Sequence, residues 1–236
     1  MNARDEALNK PRTVWSWALY DFANTIYSAV MVTAFFPPFI VKMCGDANKP
    51  FGLAVTASMF ASAFAAPILG SLGDVTGRTK RYLVIATLVC VCCVALTAGL
   101  PSAFLMLAAF FLANIAYQTS LVFYNSLLPT VASADKMGYV SGLGVGLGYV
   151  GVVFALPIAY FVNSKGGPRP VFLLSAVLFL LFSFPLFRWV PEREVKSPRR
   201  LDRDVWLERS ASVWNSFKLL RYAGRNVLLM LIGNFL

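Results

Sequence analysis

The chain contains no histidine, and its 11 aspartates and glutamates are outnumbered by 21 lysines and arginines. Histidine is the side chain that titrates near neutral pH and the commonest metal ligand, so the usual centre of acid–base or metal chemistry is missing. The four cysteines do not replace it. Cys90, Cys92 and Cys93 fall inside an apolar run and Cys44 stands apart, a spacing that suggests neither a disulfide framework nor a metal site. No glycine-rich phosphate cradle is present, so no enzyme, cofactor or metal is expected. Charge is scarce as well, at 14% of residues where an ordinary soluble domain has about 25%.

What fills the chain is apolar. Hydrophobic residues make up 58%, phenylalanine alone accounts for twenty, and the mean hydropathy is +0.67. That is more apolar surface than one soluble core hides, and lipid is the expected solvent. Six runs are long enough to cross about 30 Å of hydrocarbon, at residues 14–41, 51–72, 82–100, 102–126, 138–162 and 170–190. The first is too long for a signal peptide and ends in Phe35-Phe36-Pro37-Pro38 rather than a small-residue cleavage site. The expectation is an all-α membrane protein: a short N-terminal segment 1–13, a six-helix bundle 14–190, a linker 191–225, and the start of a truncated seventh helix at 226–236.

Positive residues are unevenly distributed among the connecting segments. Seventeen lysines and arginines fall on the side holding the N-terminus, the 73–81 link, Lys136 and the long segment after the sixth run, against Lys42, Lys49, Lys165 and Arg169 on the other. Positive loops are retained in the cytoplasm, so the N-terminus and the 191–225 linker are expected there, in a plasma or bacterial inner membrane. The net charge of +10 is then a topology signal, with membrane lipid rather than nucleic acid as partner. In the linker, Val205, Trp206, Val213, Trp214, Phe217 and Leu220 recur at helical spacing among Arg209, Lys218 and Arg221, the pattern of a basic amphipathic helix on the membrane surface.

A shift of 90 positions lays Ala65-Ala66-Pro67-Ile68 on Ala155-Leu156-Pro157-Ile158, and run one on four, two on five, three on six. Two three-helix units joined this way face opposite directions, the 3+3 inverted-repeat organisation of secondary transporters. Chance similarity between small-residue helices is the alternative.

The link after the second run reads Gly70-Ser71-Leu72-Gly73-Asp74-Val75-Thr76-Gly77-Arg78-Thr79-Lys80-Arg81. Gly70 lets a neighbouring helix approach, Gly77 suits a left-handed turn, and Asp74 can pair with a cation or face a helix N-terminus. This resembles the loop motif of the major facilitator superfamily in Gly70, Asp74, Gly77, Arg78 and Lys80, with Val75 where a basic residue is usual. The resemblance implies a conformational role, holding and releasing the packing between two halves. Tyr20-Asp21-Phe22-Ala23-Asn24, the Phe36-Pro37-Pro38 exit, Phe123-Tyr124-Asn125-Ser126-Leu127-Leu128-Pro129, Ser141-Gly142 and Gly148-Tyr149-Val150-Gly151 are similar to the vacuole-effluxer branch, whose namesake is an autophagy-related vacuolar amino-acid permease. Members resemble twelve-helix carriers, so the chain corresponds to an N-terminal half, with a C-terminal half or a second copy as its missing partner.

Asp21 is the one charged residue in the first run. It lies about seven residues inside its edge, roughly 10 Å at 1.5 Å per residue. A carboxylate at a helix centre costs about 2.5–3.5 kcal/mol on the insertion scale, so it should face the bundle interior or an aqueous cavity. Asn24 and Ser28 continue one polar stripe from it, with Tyr20 beside it. Two uses stay open: binding or relaying a proton or a cationic group, or a permanent clamp to a neighbouring helix.

Asn114, Tyr117, Gln118, Ser120 and Phe123-Tyr124-Asn125 form a second polar patch, in which Asn114, Tyr117, Gln118 and Asn125 fall at helical spacing, either lining a cavity or joining helices. Gly142, Gly144, Gly146, Gly148 and Gly151 contain two overlapping Gly-x-x-x-Gly pairs, for close packing or for a flexible gating helix. The functional expectation is a secondary active carrier of small organic solutes, amino acids among them, alternating access with a proton as the coupling ion. The alternative is a truncated or structural membrane subunit that does not transport without its other half.

Overall fold

In the computed structural model, residues 8–192, with 195, 207 and 211, are described. The expected seventh helix and surface helix of the linker lie outside these residues. Seven α-helices follow one another: α1 Pro11–Tyr27, α2 Phe36–Met43, α3 Lys49–Thr76, α4 Thr79–Gly99, α5 Ala103–Val131, α6 Met137–Gly166 and α7 Pro168–Trp189. Proline stands in the first turn of α1, α2, α3 and α7, where its missing N–H is no loss. With α1 and α2 counted as one element, six are long and apolar enough to span a bilayer.

The first run departs from a single regular helix. Between α1 and α2 the chain widens into a π-helical stretch, Ser28–Ala34, in which the Phe35 N–H bonds the Val30 carbonyl. Pro37 and Pro38 follow, and neither can donate to the turn before it, so the preceding carbonyls are taken up in a wider register. The helices also outrun the apolar windows: α1 begins at Pro11 and α5 continues to Val131. Polar ends such as Asn125, Ser126 and Thr130 propagate a helix although they would not place it in hydrocarbon.

The packing has the symmetry that the 90-residue shift implies. The α1 helix lies against α6 and α7, while α5 lies against α3 and α4, and α4 and α7 pack on each other. Exchanging elements one and four, two and five, three and six carries this pattern onto itself. The same exchange relates two ties at opposite ends of the α4–α7 pair. Lys80 Nζ, in the first turn of α4, donates to the Val190 carbonyl that ends α7, at 2.7 Å. Arg169, in the first turn of α7, donates to the Ala98 carbonyl near the end of α4, at 3.1 Å. Each cation meets the electronegative terminus of its antiparallel neighbour.

Three contacts gather connecting segments at one end of the bundle. The Asn9 side chain bonds Ser133 beyond α5, the Arg12 guanidinium lies 4.2 Å from the Trp189 ring, and the Lys80 N–H donates to Glu192. Glu192 thus places a carboxylate on the N-terminus of α4, which has no side-chain cap of its own. In the same end region Asp135 is held below the usual carboxylate range, chiefly by the Ser133 hydroxyl. At the opposite end Phe36 of α2 meets Phe51, Phe110 and Phe172 from three other elements, an aromatic plug of offset and edge contacts.

Candidate functional site

The strongest concentration of buried polar chemistry is where α1, α4, α5 and α6 converge. Asp21 lies ten residues into α1, about 15 Å from Pro11 and deeper than the apolar window indicates. It is half-buried. Asn24 donates its amide to Asp21 Oδ1 at 3.0 Å, and the Thr25 hydroxyl donates to the Asp21 backbone carbonyl at 2.7 Å. The stripe continues to Ser28, whose hydroxyl bonds the Thr25 carbonyl and interacts with Tyr117.

Glycine admits α6 to this stripe. A Cβ on Gly144 would lie 3.0 Å from the Trp17 ring, 3.1 Å from Tyr124 Oη and 3.4 Å from Asp21 Oδ2. A Cβ on Gly148 would lie 2.7 Å from Thr25 Oγ1, and one on Gly151 only 2.8 Å from the Phe22 backbone oxygen. These three form one face at spacings of 4 and 3 residues. Gly142 and Gly146 turn the other way, with nothing within 4 Å of where a Cβ would stand.

Aromatic rings enclose the carboxylate. Tyr124 stacks on Trp17 with centroids 4.3 Å apart and on Tyr20 at 5.0 Å, and the Trp17 indole N–H donates to the Tyr124 carbonyl. Tyr20 is fully buried, its hydroxyl 2.7 Å from Thr87 of α4 and close to Ser120 of α5. Tyr27 lies 4.5 Å from Tyr117. Two hydroxyls in this shell, Tyr124 Oη and Tyr27 Oη, are buried without a hydrogen-bond partner among the described residues. Such orphans are uncommon in a folded interior.

The second polar patch is divided. Asn114 is buried and donates to Ser58 of α3 at 2.7 Å, joining α5 to α3, while Tyr117 turns toward α1. Gln118 is half-buried and Asn125 exposed. Ser120 and Tyr124 of the same patch also take part in the shell, Tyr124 seven residues after Tyr117 on the same face of α5. Trp17 and Thr87 join it although the polar pattern of the sequence does not mark them.

At the end of the bundle, Gly77 closes α3 in the left-handed conformation at φ +64°, its N–H bonded to the Gly73 carbonyl. A Cβ on Gly70 would sit 3.3 Å from Val122 of α5. Asp74 and Arg78 are exposed around this turn, and Lys80 makes the tie to α7.

A bundle of six elements long and apolar enough to span a bilayer, with a repeated packing pattern and a half-buried acid in the first half of its first element, defines a multi-pass α-helical membrane protein. Residues 18–236 match the Major Facilitator Superfamily, and the chain belongs to that superfamily. It is 31% identical over 224 residues to an uncharacterized protein of Aquifex aeolicus, covering 94% of this chain and 56% of that one. It is 30% identical over 198 residues to the uncharacterized MFS-type transporter YxiO of Bacillus subtilis, covering 75% and 46%. To the putative uncharacterized transporter YgaY of Escherichia coli it is 30% identical over 170 residues, covering 72% and 42%. The chain thus spans about half the length of these relatives.

Proposed function

We propose that the chain forms one bundle of a secondary active carrier for small organic solutes, with amino acids the favoured class, and that a proton gradient drives it. The observation that carries this reading is Asp21: a half-buried carboxylate far inside a spanning helix, with Asn24 as its one side-chain hydrogen-bond donor among the described residues. An acid so placed, between helices that meet through glycine and beside the orphaned Tyr124 hydroxyl, is suited to take and release a proton or an ammonium group. The polar stripe from Asp21 to Ser28 ends where the π-helical stretch begins, a departure from regular helix of the kind found at functional sites. The turn at Gly70, Asp74, Gly77, Arg78 and Lys80 then serves to hold and release the bundle as access alternates.

The partner is a second bundle. Support comes from the burial pattern: α3 and α6, exchanged by the pseudo-symmetry, are the least buried spans at 11% and 22%, against 33–39% for the others. A second six-helix unit seated on these two would enclose the site, as carriers built from repeats do. We place the chain in the vacuole-effluxer branch on the Tyr-Asp-Phe-Ala-Asn pattern of its first helix, and in a bacterial inner membrane with its N-terminus in the cytoplasm on the distribution of its lysines and arginines.

Uptake of a panel of labelled amino acids and other small solutes into proteoliposomes tests this reading. The panel is run with this chain and with the longest continuous form its gene encodes. Gradient-dependent uptake by the longer form is expected. Uptake by neither form, with both folded, overturns the carrier reading and leaves a structural membrane subunit.

A further inference from the structure

The helices α3 and α4 are consecutive, yet they touch each other little, because both lean on α5 instead. The wedge between them is a cleft of about 340 Å³. Ala116, Thr119 and Phe123 of α5 form its floor, Leu69 and Leu72 one wall, and Tyr82, Ile85, Ala86 and Val89 the other. Two of the three floor residues are too small to fill it.

The lining is apolar apart from the Thr119 and Tyr82 hydroxyls, and two of its wall residues, Ile85 and Val89, are 58% and 45% exposed on the outer face of a spanning helix. In a bilayer the cleft therefore opens sideways into hydrocarbon. One helical turn from the lining, toward the end of the bundle, stand two exposed cations: Arg78 precedes Tyr82 by four residues and Arg81 precedes Ile85 by four. The apolar lining of the cleft and the position of the cations match the two parts of a phospholipid. Arginine suits the headgroup because it holds a phosphate bidentately.

We propose that this cleft is a binding site for one anionic phospholipid, an acyl chain lying between α3 and α4 over Thr119 and the headgroup phosphate on Arg78 and Arg81. Because Gly77 and Arg78 belong to the turn that links α3 to α4, occupancy of the cleft couples the composition of that leaflet to the packing of this turn.

The test is native mass spectrometry of the purified full chain released from nanodiscs holding equal amounts of phosphatidylglycerol and phosphatidylcholine with identical acyl chains. One phosphatidylglycerol retained per chain, at least five-fold over phosphatidylcholine, is expected. Arg78→Gln with Arg81→Gln should abolish the preference, and Thr119→Phe should abolish retention. Equal retention of the two lipids by the wild type, or an unchanged preference in the double-glutamine variant, overturns the proposal. In case Thr119→Phe does not fold, phosphatidylglycerol carrying a photoactivatable group on its acyl chain supplies an independent measurement on the unaltered chain. Cross-links on the Ile85–Val89 turn of α4 support the site, and cross-links confined to α6 and α7 refute it.

Discussion

Substituting alanine for glycine at two positions of α6 separates helix packing from helix propensity. At Gly151 the new Cβ stands 2.8 Å from the Phe22 backbone oxygen and 3.3 Å from two carbons of its ring. Even a favourable C–H···O contact keeps carbon and oxygen about 3.3–3.6 Å apart, so α1 and α6 must separate by roughly half an ångström. Phe22 cannot turn aside, since Phe154 and Phe182 hold its ring at centroid distances of 5.7 and 4.6 Å. Overpacking of this kind costs about 1–3 kcal/mol. At Gly142 the same methyl meets nothing within 4 Å. Alanine is better than glycine in a helix by about 0.8–1 kcal/mol at either position. That gain cancels in the comparison, so Gly142→Ala should exceed Gly151→Ala in stability by the overpacking term alone, about 1–3 kcal/mol. Reversible unfolding of the two variants in mixed micelles measures the difference directly. A difference below about 0.5 kcal/mol, the range of changes that touch nothing, would refute the close approach of α6 to α1.

Tyr20→Phe removes the hydroxyl bonded to Thr87 at 2.7 Å, while Thr87 keeps its own bond to the Leu83 carbonyl. The expected loss is about 0.5–1.5 kcal/mol in the same unfolding assay. Asn114→Ala breaks the bond to Ser58 that ties α5 to α3, and α3 should become the first element to gain hydrogen exchange. Gly77→Ala forces a side chain into a backbone at φ +64°, which costs about 1–2 kcal/mol. The same change at Gly52, with nothing within 4 Å, should cost none. Lys80→Met should detach the end of α7 from α4, read as faster proteolysis at the 190–192 exit, because Nζ is the donor to Val190.

The spans were legible because length and polarity decide them: few residues between 51 and 190 break an apolar run except at the turns. The inverted arrangement was legible too, since Pro67 and Pro157 fall at matching places in the second elements of the two units and lie inside α3 and α6. Finer features depend on contacts across the bundle, which one-dimensional periodicity does not carry. The two Gly-x-x-x-Gly pairs look alike in sequence, and only the position of α1 distinguishes Gly144 and Gly148 from Gly142 and Gly146. Asn114 and Tyr117 are three residues apart, yet the roughly 60° between them suffices for one to face α3 and the other α1. The widened register of residues 28–34 had its cause in plain view at Pro37 and Pro38, but prolines alone do not say whether a helix bends, breaks or widens. The reciprocal ties of Lys80 and Arg169 join residues 110 and 71 positions apart, beyond any local pattern.

The measurement that bears most directly on the account is proton-driven solute uptake by proteoliposomes holding the longest form of the protein with Asp21 intact or replaced by asparagine. The replacement keeps the size and hydrogen-bonding reach of the side chain and removes its capacity to carry a proton. We expect Asp21→Asn to abolish gradient-driven accumulation while leaving exchange of solute across the membrane at equilibrium. Accumulation at the wild-type rate would contradict the account and reduce Asp21 to a clamp that holds Asn24 in place.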